Sequence, residues 1–434
     1  MSRRWSASFG VIVFVAVLSV PASGQQAQSG TKLLSPDANY YSEHGRSVGI
    51  AADGQTAVVG GRPPYIWARR DGVWRQLDKL VGSGEVGGAD QGWAVAISAD
   101  GNTAIVGGDN DDGSGPEGYH YTSAVGAAWV WTKSDGVWSQ QGPKLVGDGA
   151  IGKAKQGTSV ALSADGDTAI IGGPKDNAAV GAAWVWIRIG GVWTQQGKLV
   201  GSGGSGGDGI SQGGSVALSA DGNTAIIGGA SDNNLVGAAW VWTRSGGVWT
   251  QQGAKLVGSS SREGSNLPEG IYQGTSVALS ADGNTALIGG PGNGRNGAAW
   301  VWRRSGEVWS QQSKLDVSSN PAVSTTSISG DSVSLSADGN TALVGAPGSY
   351  VSFVSSPAPP FVGATWLWTY NAGNWSVRNA PLIGTDGGGA QQGCSVALTA
   401  DGRTAIVGSS WGLAAWVLST VDDTTGPRRR VVKH

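Results

Sequence analysis

The sequence is poor in the side chains that build disulfides, zinc sites and histidine-based active sites. It has one cysteine, Cys394, and three histidines, at positions 44, 120 and 434, among 434 residues. A single cysteine excludes an internal disulfide framework and any zinc site that needs several thiolates. Three histidines leave little for histidine-based catalysis. The composition therefore disfavours a disulfide-rich protein, a zinc protein and an enzyme that depends on histidine.

Charged side chains are also scarce, at 14% of the residues, and the two signs nearly balance. There are 29 Lys and Arg against 31 Asp and Glu. Such a chain has no basic field to hold a nucleic-acid backbone, so we expect no nucleic-acid partner. Disordered chains have few aromatic residues and a high net charge, whereas this one has 21 tryptophans and a net charge of -2. With 75 glycines, the composition favours a folded, Gly-rich and Trp-rich β protein.

Long apolar runs are scarce as well, and the one near the start is too short to span a membrane. Arg3 and Arg4 precede an apolar run over residues 9–20, and Ala22 and Gly24 fit the -3 and -1 positions of a signal-peptidase site. A spanning helix needs about 20 residues, which disfavours the alternative of an uncleaved anchor. We expect a signal peptide over residues 1–24, a mature start at Gln25, and a secreted or periplasmic protein without a membrane span.

An internal repeat dominates the rest of the chain. The triplet Ala-Asp-Gly recurs seven times, with its Asp at positions 53, 100, 165, 221, 282, 338 and 401. Each unit has four short apolar or β-branched runs bounded by Gly or Asp-Gly; in the fourth unit they cover residues 215–219, 224–227, 238–243 and about 248–257. Repeats of four strands are typical of propeller blades. The sequence therefore predicts an all-β fold, a seven-bladed β-propeller with four antiparallel strands per blade, over residues 25–421, followed by a charged tail over 422–434.

The ends of the repeat region predict how the ring closes. The seventh unit stops after its third strand, at residues 416–418. The segment Thr-Lys-Leu-Leu at 31–34 matches the Ala-Lys-Leu-Val of the fourth unit at 254–257. We expect this N-terminal strand to complete the last blade, because closure removes exposed strand edges.

Loop lengths separate a constant face from a variable one. The 1–2 and 3–4 connections keep the same length in every complete unit, whereas the 2–3 and 4–1 loops vary. In an up-and-down blade these two pairs of connections emerge on opposite faces of the disk. Variable surface loops are where function tends to lie, so we expect the functional surface on the face of the 2–3 and 4–1 loops.

The unit resembles the FG-GAP repeats that form the propeller of integrin α subunits. The resemblance rests on S-V-A-L-S-A-D-G-N-T-A-L-I-G-G-P from Ser276 and on Gly-Ala-Pro at 345–347, and it covers about residues 31–418. Five units have Gln-Gly in place of the Phe-Gly of the family, and the calcium loop D-x-D-x-D-G is absent. By analogy, the resemblance implies protein or cell-surface partners.

The Asp-Gly triplets are better explained as turns than as calcium loops. Calcium takes six to eight oxygens, usually from several carboxylates of one loop. The loop at Asp221 offers one carboxylate, and that of the third unit offers two, from Asp165 and Asp167. Asp-Gly between two short strands is a hairpin-turn signal. We expect no metal and no other cofactor.

Tryptophans recur two residues apart in the third strand of most units. The pairs are Trp129 and Trp131, Trp184 and Trp186, Trp240 and Trp242, Trp300 and Trp302, and Trp366 and Trp368. Two residues apart in a strand, the members of a pair share one face of the sheet. They could form sugar-stacking platforms or fill the gaps between blades, and the widening outer gap favours packing.

Residues outside the repeat pattern point to a recognition surface. Ten of eleven off-pattern aromatic residues lie in or beside the variable loops, with Tyr370 the exception. The residue before strand 1 also differs between units: Arg46, Trp93, Thr158, Gly214, Thr275, Asp331 and Cys394. If strand 1 is innermost, these seven surround the mouth of the channel. The candidate ligand-binding residues are Trp93, Tyr119, Tyr121, Trp411, Arg46 and Asp331. On the opposite face we expect Tyr370, Arg244 and Arg304 to be exposed and dispensable for folding.

These features predict an exported, monomeric, non-enzymatic binding or interaction module. It would use the face of the 2–3 and 4–1 loops to bind protein or cell-surface partners. Two alternatives stay open: a carbohydrate-binding lectin that uses the exposed loop aromatics, and a hydrolase in the central channel. No catalytic motif supports the hydrolase, and we name no catalytic residue.

Overall fold

Seven antiparallel sheets make up the structure. The computed structural model describes residues 30–39, 41–113, 124–207, 209–259, 270–318, 329–348, 363–385, 391–409 and 411–421. Within these ranges, 28 strands form seven four-stranded sheets. The innermost strands contact one another in a closed circle, so the sheets are the blades of a seven-bladed β-propeller. The predicted fold is confirmed, whereas the predicted signal peptide and C-terminal tail lie outside the described residues.

Blades 1 to 6 run outward from the central channel in chain order, from strand 1 to strand 4. Blades 1, 2 and 3 consist of Val48–Ile50, Thr56–Val59, Tyr65–Arg70 and Val73–Lys79; Ala94–Ile97, Thr103–Gly108, Ala127–Ser134 and Val137–Gln140; and Ser159–Leu162, Thr168–Gly173, Ala182–Ile189 and Val192–Leu199. Blades 4, 5 and 6 consist of Ser215–Leu218, Thr224–Gly229, Ala238–Ser245 and Val248–Gln251; Ser276–Leu279, Thr285–Gly290, Ala298–Ser305 and Val308–Leu315; and Ser332–Leu335, Thr341–Ala346, Ala364–Asn371 and Asn374–Val377. Two four-residue turns with left-handed backbone, Asp176–Ala179 and Asp232–Leu235, lie in the 2–3 loops of blades 3 and 4. In the described part of the chain, no helix is long and apolar enough to cross a bilayer.

The N-terminal strand completes the last blade, as the repeat predicted. Blade 7 consists of Ser395–Leu398, Thr404–Ser409, Ala414–Ser419 and, as its outermost strand, Thr31–Leu33. The outermost pair is antiparallel, and Lys32 lies opposite Trp416. The first and last parts of the chain are thus joined in one sheet.

The interior is filled by whole buried strands and by large tryptophans between blades. Strand 2 of blade 4, Thr-Ala-Ile-Ile-Gly-Gly, is buried along its full length because neighbouring blades cover both of its faces. The first Trp of strand 3 is at most 1% exposed in six blades: Trp129, Trp184, Trp240, Trp300, Trp366 and Trp416. The indole of Trp240 lies where a Cβ at Gly201 would be, so this glycine makes room for the ring. The packing interpretation of these tryptophans is confirmed.

A closed circle of backbone hydrogen bonds joins the blades on the face of the 1–2 and 3–4 connections, which we call the turn face. The N–H of each alanine in the Ala-Asp-Gly triplets donates to the carbonyl of the corresponding alanine in the next blade, with N···O distances of 2.9–3.3 Å. This alanine belt runs through Ala52, Ala99, Ala164, Ala220, Ala281, Ala337 and Ala400, and the last alanine donates back to the first. The repeated triplet is therefore an element of ring closure as well as a turn.

A second set of inter-blade bonds lies on the opposite face, the loop face, which carries the 2–3 and 4–1 loops. The hydroxyl of the first serine of strand 1 donates to the carbonyl of the Gly that precedes strand 1 of the next blade, as from Ser159 to Gly213 at 2.8 Å. The same bond is made by Ser47, Ser215, Ser276, Ser332 and Ser395. Blade 2 has Ala94 at this position and lacks the hydroxyl. This serine belt fixes the backbone immediately beside the variable mouth residues.

The expectation that Tyr370, Arg244 and Arg304 are exposed is wrong, because all three side chains are partly buried. The guanidinium of Arg244 in blade 4 donates to Gln196 and Thr168 of blade 3, at 3.2 and 3.4 Å. Arg304 repeats these contacts one blade further on, and the hydroxyl of Tyr370 accepts a hydrogen bond from Gln312 of blade 5. These side chains connect neighbouring blades near the turn face, so we now expect their loss to destabilise the ring.

We predict that the N-terminal strand contributes to stability mainly through Leu33. Leu33 is fully buried, whereas Leu34, next to it, is 49% exposed. Leu33→Ala should lower the free energy of unfolding by about 2–5 kcal/mol because it leaves a cavity in the last blade. Leu34→Ala, the matched control, should change it by no more than about 0.5 kcal/mol. Chemical denaturation measures both, and equal losses would contradict the assignment of the closing strand.

Candidate functional site

The loop-face mouth of the channel is built from seven equivalent positions, one before each strand 1. All seven are at least partly exposed, although the Gly immediately before each of them is buried. The serine belt holds the backbone on one side of these positions, and their side chains are not part of that repeated bond. The mouth therefore combines a fixed backbone with side chains that differ from blade to blade.

Arg46 and Trp93, the mouth residues of blades 1 and 2, are stacked on each other. The guanidinium carbon of Arg46 lies 3.3 Å from the centroid of a Trp93 ring. Such stacking is favourable because the ring face is electron-rich and the guanidinium is weakly hydrated. The sequence predicted both residues as candidates, and the structure brings them into contact.

A line of charges extends from this stack across the loop face. Arg46 donates to Glu43 at 2.7 Å, Glu43 accepts from Arg62 at 2.9 Å, and Arg62 lies 3.3 Å from Asp90. The pairs are partly exposed, so their main effect is to fix the orientation of Arg46 rather than to add much stability. Glu43, Arg62 and Asp90 were not identified from the sequence, because no repeat pattern relates them.

Asp331 is the acidic member of the mouth. Its carboxylate is half-buried, and burial raises its pKa to about 6 although the charge of Arg46 opposes the shift. A carboxyl with such a pKa is largely ionised at neutral pH and largely protonated at pH 5. Asp331 therefore gives the mouth a negative charge that depends on pH near neutrality.

The other mouth residues are neutral and small. The hydroxyls of Thr158 and Thr275 donate to backbone carbonyls three residues earlier, at 2.7 and 2.8 Å. The thiol of Cys394 lies 3.6 Å from the carbonyl oxygen of Gly45. Gly214 is exposed and adds no side chain. These residues shape the mouth without adding charge.

Of the loop aromatics named from the sequence, Trp411 is the one that the structure describes besides Trp93. It is 66% exposed and lies in the 2–3 loop of blade 7. This loop borders the mouth, because a Cβ at Gly45 would overlap the Ala414 carbonyl. Tyr119 and Tyr121 lie outside the described residues. An exposed indole thus adjoins the blade that carries Arg46.

Buried ion pairs fix the variable loops, and sequence reasoning missed them. The carboxylate of Asp176, 1% exposed, lies 2.7 Å from Lys198 and accepts the N–H of Ile151 at 2.7 Å. Asp232 repeats this arrangement with Lys255, and Asp111 with Lys144. Two features of the sequence could have indicated these pairs: the Lys of the repeated Lys-Leu-Val, and an Asp that lies six residues before strand 3 in units 3 and 4. These loops are thus held rigidly by charges in the scaffold.

The repeated Gln-Gly has a structural role on the loop face. The buried amide of Gln156 accepts the N–H of Gly147 at 2.6 Å and donates to its carbonyl at 3.0 Å. Gln91, Gln212, Gln273 and Gln392 clamp the equivalent glycines in the same way. We call this contact the glutamine clamp. Both residues of each clamp lie in the same 4–1 loop, so the clamp closes these five loops on themselves.

Blade 1 departs from this pattern at three coupled positions. His44 replaces the clamping Gln, Ser35 replaces the clamped Gly, and Tyr65 replaces the buried Trp. The His44 ring is 1% exposed and packs edge-on against Tyr65, with centroids 5.5 Å apart. Neither ring nitrogen has a hydrogen-bond partner in the described part of the chain, and burial lowers the pKa of His44 to about 4. Blade 1 therefore carries a neutral, buried histidine.

The Asp-Gly turns use their carboxylates internally. Asp401 accepts the Thr399 hydroxyl at 2.7 Å and the Arg403 N–H at 2.9 Å, and these bonds lower its pKa. No group of three His, Cys, Asp or Glu among the described residues is arranged to hold a metal ion. With one carboxylate per turn, or two in blade 3, already bonded within the chain, these turns do not fit the calcium that integrin-type blades bind.

Comparison with known proteins adds no family. No family model matches this sequence, and no curated protein matches it. The propeller fold therefore rests on the structure itself, and the FG-GAP resemblance rests on the repeat residues alone.

We predict that chelation leaves the protein unchanged. Because the turn carboxylates are bonded to their own loops, EDTA should not alter the melting temperature, and added calcium should not raise it. A calcium site would stabilise the fold by mass action and raise the melting temperature by several degrees. Thermal melts with EDTA and with calcium test this, and such a rise would contradict the turn assignment.

We predict that His44 makes the fold sensitive to acid. Its folded pKa is about 4 and its unfolded pKa about 6.5, so the unfolded state binds more protons between these values. The stability that the neutral ring provides is complete above pH 6.5 and is lost as the pH falls to 4, a change of about 3 kcal/mol.

The test compares the wild type with His44→Gln, which introduces the residue found in the clamp of other blades. The difference in unfolding free energy between the two proteins should shift in favour of the variant from pH 7 to pH 4.5. Taking the difference cancels the titration of Asp331 and of the turn aspartates. A difference that is the same at both pH values would contradict the assignment.

Proposed function

We propose that this chain is an exported, non-enzymatic binding module that recognises a protein or cell-surface partner with its loop face. The recognition surface consists of the channel mouth and the adjoining 2–3 loop that carries Trp411. The FG-GAP resemblance supports this class of partner by analogy, and the fold is compatible with it without being specific to it.

The observation that carries the proposal is the contrast between fixed backbone and variable side chains at the mouth. The serine belt and the glutamine clamps repeat around the ring, while the seven positions between them range from glycine to tryptophan. A purely structural role would favour the same residue in each blade, as at the alanine belt. Side chains that differ where the scaffold repeats are better explained by contact with an asymmetric ligand.

The chemistry of the mouth suits recognition. Trp and Arg are enriched among the residues that dominate binding energy, and here they are stacked and oriented by Glu43. Trp411 adds an exposed aromatic side chain in the 2–3 loop of blade 7. The same exposed indole is the feature that favours the alternative, a lectin, because aromatic faces also stack on sugars.

We predict that binding depends on the loop face and not on the turn face. The loop-face variants are Arg46→Ala with Trp93→Ala, and Trp411→Ala. The matched control combines Ile189→Ala and Val308→Ala, two side chains that are 71% and 70% exposed at hairpin tips of the turn face. Loss of an aromatic anchor costs about 2 kcal/mol or more, or roughly thirtyfold in affinity.

The measurement is affinity capture from the envelope fraction and medium of the producing cells, followed by titration of the captured protein against each variant. The melting temperature of every variant is measured first, so that lost binding is not confused with unfolding. Binding that survives the loop-face changes and is lost with the control would contradict the proposed surface. Saccharide hits on a glycan array that disappear with Trp411→Ala would favour the lectin instead.

A further inference from the structure

The position three residues before each mouth residue has an unusual backbone conformation. At the six of these positions that the structure describes, the backbone is left-handed, with φ between 46° and 60°. We call them the outer ring, and none of them is glycine: Glu43, Asp90, Lys155, Ser211, Tyr272 and Gln391. Most other residues with positive φ in the described part of the chain are glycines. A left-handed residue with a side chain costs stability, and such strain clusters at functional sites.

The turn itself does not require a side chain at the outer ring. In blades 1 to 5, the N–H of the mouth residue donates to the carbonyl of the outer-ring residue at 3.0–3.3 Å, whichever side chains are present. Glycine would make the same backbone bond with less strain. The outer ring therefore retains side chains at a cost, and each of them needs a reason outside the turn.

Four of the six side chains have such a reason inside the fold. Each bonds to a 2–3 loop at 2.9–3.3 Å and so ties the turn to that loop. The partners are Arg62 for Glu43 and Asp90, Asp109 for Lys155, and Ser231 for Ser211. The charges of the outer ring are thus used by the scaffold.

The side chain of Tyr272 is placed differently. One edge of its ring lies against the backbone of two glycines: a Cβ at Gly270 would be 3.1 Å from Cε2, and a Cβ at Gly292 would be 3.0 Å from Cδ2. These glycines make room for the ring and fix its orientation, while the residue stays partly exposed. The N–H and hydroxyl of the mouth residue Thr275 donate to the Tyr272 carbonyl, at 3.1 and 2.8 Å. An oriented aromatic ring therefore adjoins the mouth.

We propose that Tyr272 is a further recognition residue of the loop face, an aromatic anchor against which an apolar side chain of a protein partner packs. The inference rests on the proposed binding function and adds a residue and a partner chemistry to it. Tyrosine offers a large contact area with few torsions to immobilise, and it is enriched among the residues that dominate binding energy.

The surroundings of Tyr272 favour an apolar partner group over a charged one. The outer-ring and mouth positions of blades 4 and 5 are uncharged, and those of blade 4 are small: Ser211, Gly214, Tyr272 and Thr275. The charged outer-ring and mouth residues Glu43, Arg46 and Asp90 belong to blades 1 and 2. A charged side chain at Tyr272 would lose hydration without gaining a counter-charge from these four positions.

A substitution by asparagine separates recognition from packing, because asparagine tolerates the left-handed conformation better than tyrosine does. Tyr272→Asn should leave the melting temperature unchanged or raise it, whereas loss of a ring that only fills space would lower it. The matched control is Ser211→Asn, which places the same side chain in the same backbone conformation, with φ of 60°, and removes no aromatic ring.

The probe is a library of random peptides displayed on phage and selected on the immobilised full chain. Enriched peptides are synthesised and titrated against each variant at a temperature at which all variants are folded. They should bind Tyr272→Asn about tenfold or more weakly than the wild type, because loss of an aromatic anchor costs at least that much. They should bind Ser211→Asn as tightly as the wild type, and the residues that they share should be apolar.

Equal binding of the enriched peptides to Tyr272→Asn, or no enrichment on the wild type, overturns the proposal. Saccharides on a glycan array that bind through Tyr272 would assign the ring to a lectin and overturn it as well. The outcome is separable from that of the proposed function. If partner capture needs Arg46 and Trp93 but is unchanged in Tyr272→Asn, the binding surface stands and this anchor fails. If the peptides need Tyr272 while capture is indifferent to Arg46, Trp93 and Trp411, the anchor stands alone.

Discussion

The alanine belt is the contact on which the rest of the structure depends. Seven blades that each bury both faces must meet at constant spacing, and seven backbone hydrogen bonds set that spacing at the end of the innermost strands. Because the bonds run through the backbone, their geometry does not depend on which side chains fill the loops. The circle includes the bond from Ala400 to Ala52, which joins the last blade to the first. Closure therefore uses the same contact as every other blade junction.

Different contacts stabilise the two faces of the disk. Near the turn face, arginines and tryptophans of one blade share the glutamine of the preceding blade, as Arg244 and Trp249 share Gln196. On the loop face, the serine belt, the glutamine clamps and the Lys–Asp pairs hold the backbone of the loops. The mouth side chains take no part in these repeated contacts. This division lets seven positions vary without altering the ring.

The repeat made the architecture predictable from the sequence. Blade number, strand order and closure by residues 31–33 follow from a pattern that recurs seven times, and local turn chemistry confirms it. Side-chain contacts between blades did not follow, because residues such as Arg244 and Gln196 are 48 positions apart and their proximity depends on the packed ring. For the same reason, the sequence did not show that Tyr370, Arg244 and Arg304 are partly buried between blades.

The candidate site was predictable in part. Arg46, Trp93 and Asp331 were found because they break a repeat, but their relation was not, because stacking and burial depend on the curvature of the ring. Glu43, which orients Arg46, gives no signal in the pattern. In blade 1, Ser35, His44 and Tyr65 replace the Gly, Gln and Trp of other blades. That these three replacements belong together was not evident from the sequence, because the residues meet only in the folded ring.

The most direct test of this division is a variant whose mouth carries no charged and no aromatic side chain. Blades 3 and 5 carry threonine there, so Arg46, Trp93, Asp331 and Cys394 are all replaced by threonine and the variant is measured for both unfolding free energy and partner capture. The account predicts a folded protein of at least nearly wild-type stability that no longer captures its partner. An unfolded variant, or one that captures the partner as well as the wild type, would contradict the claim that the ring is the scaffold and the mouth is the site.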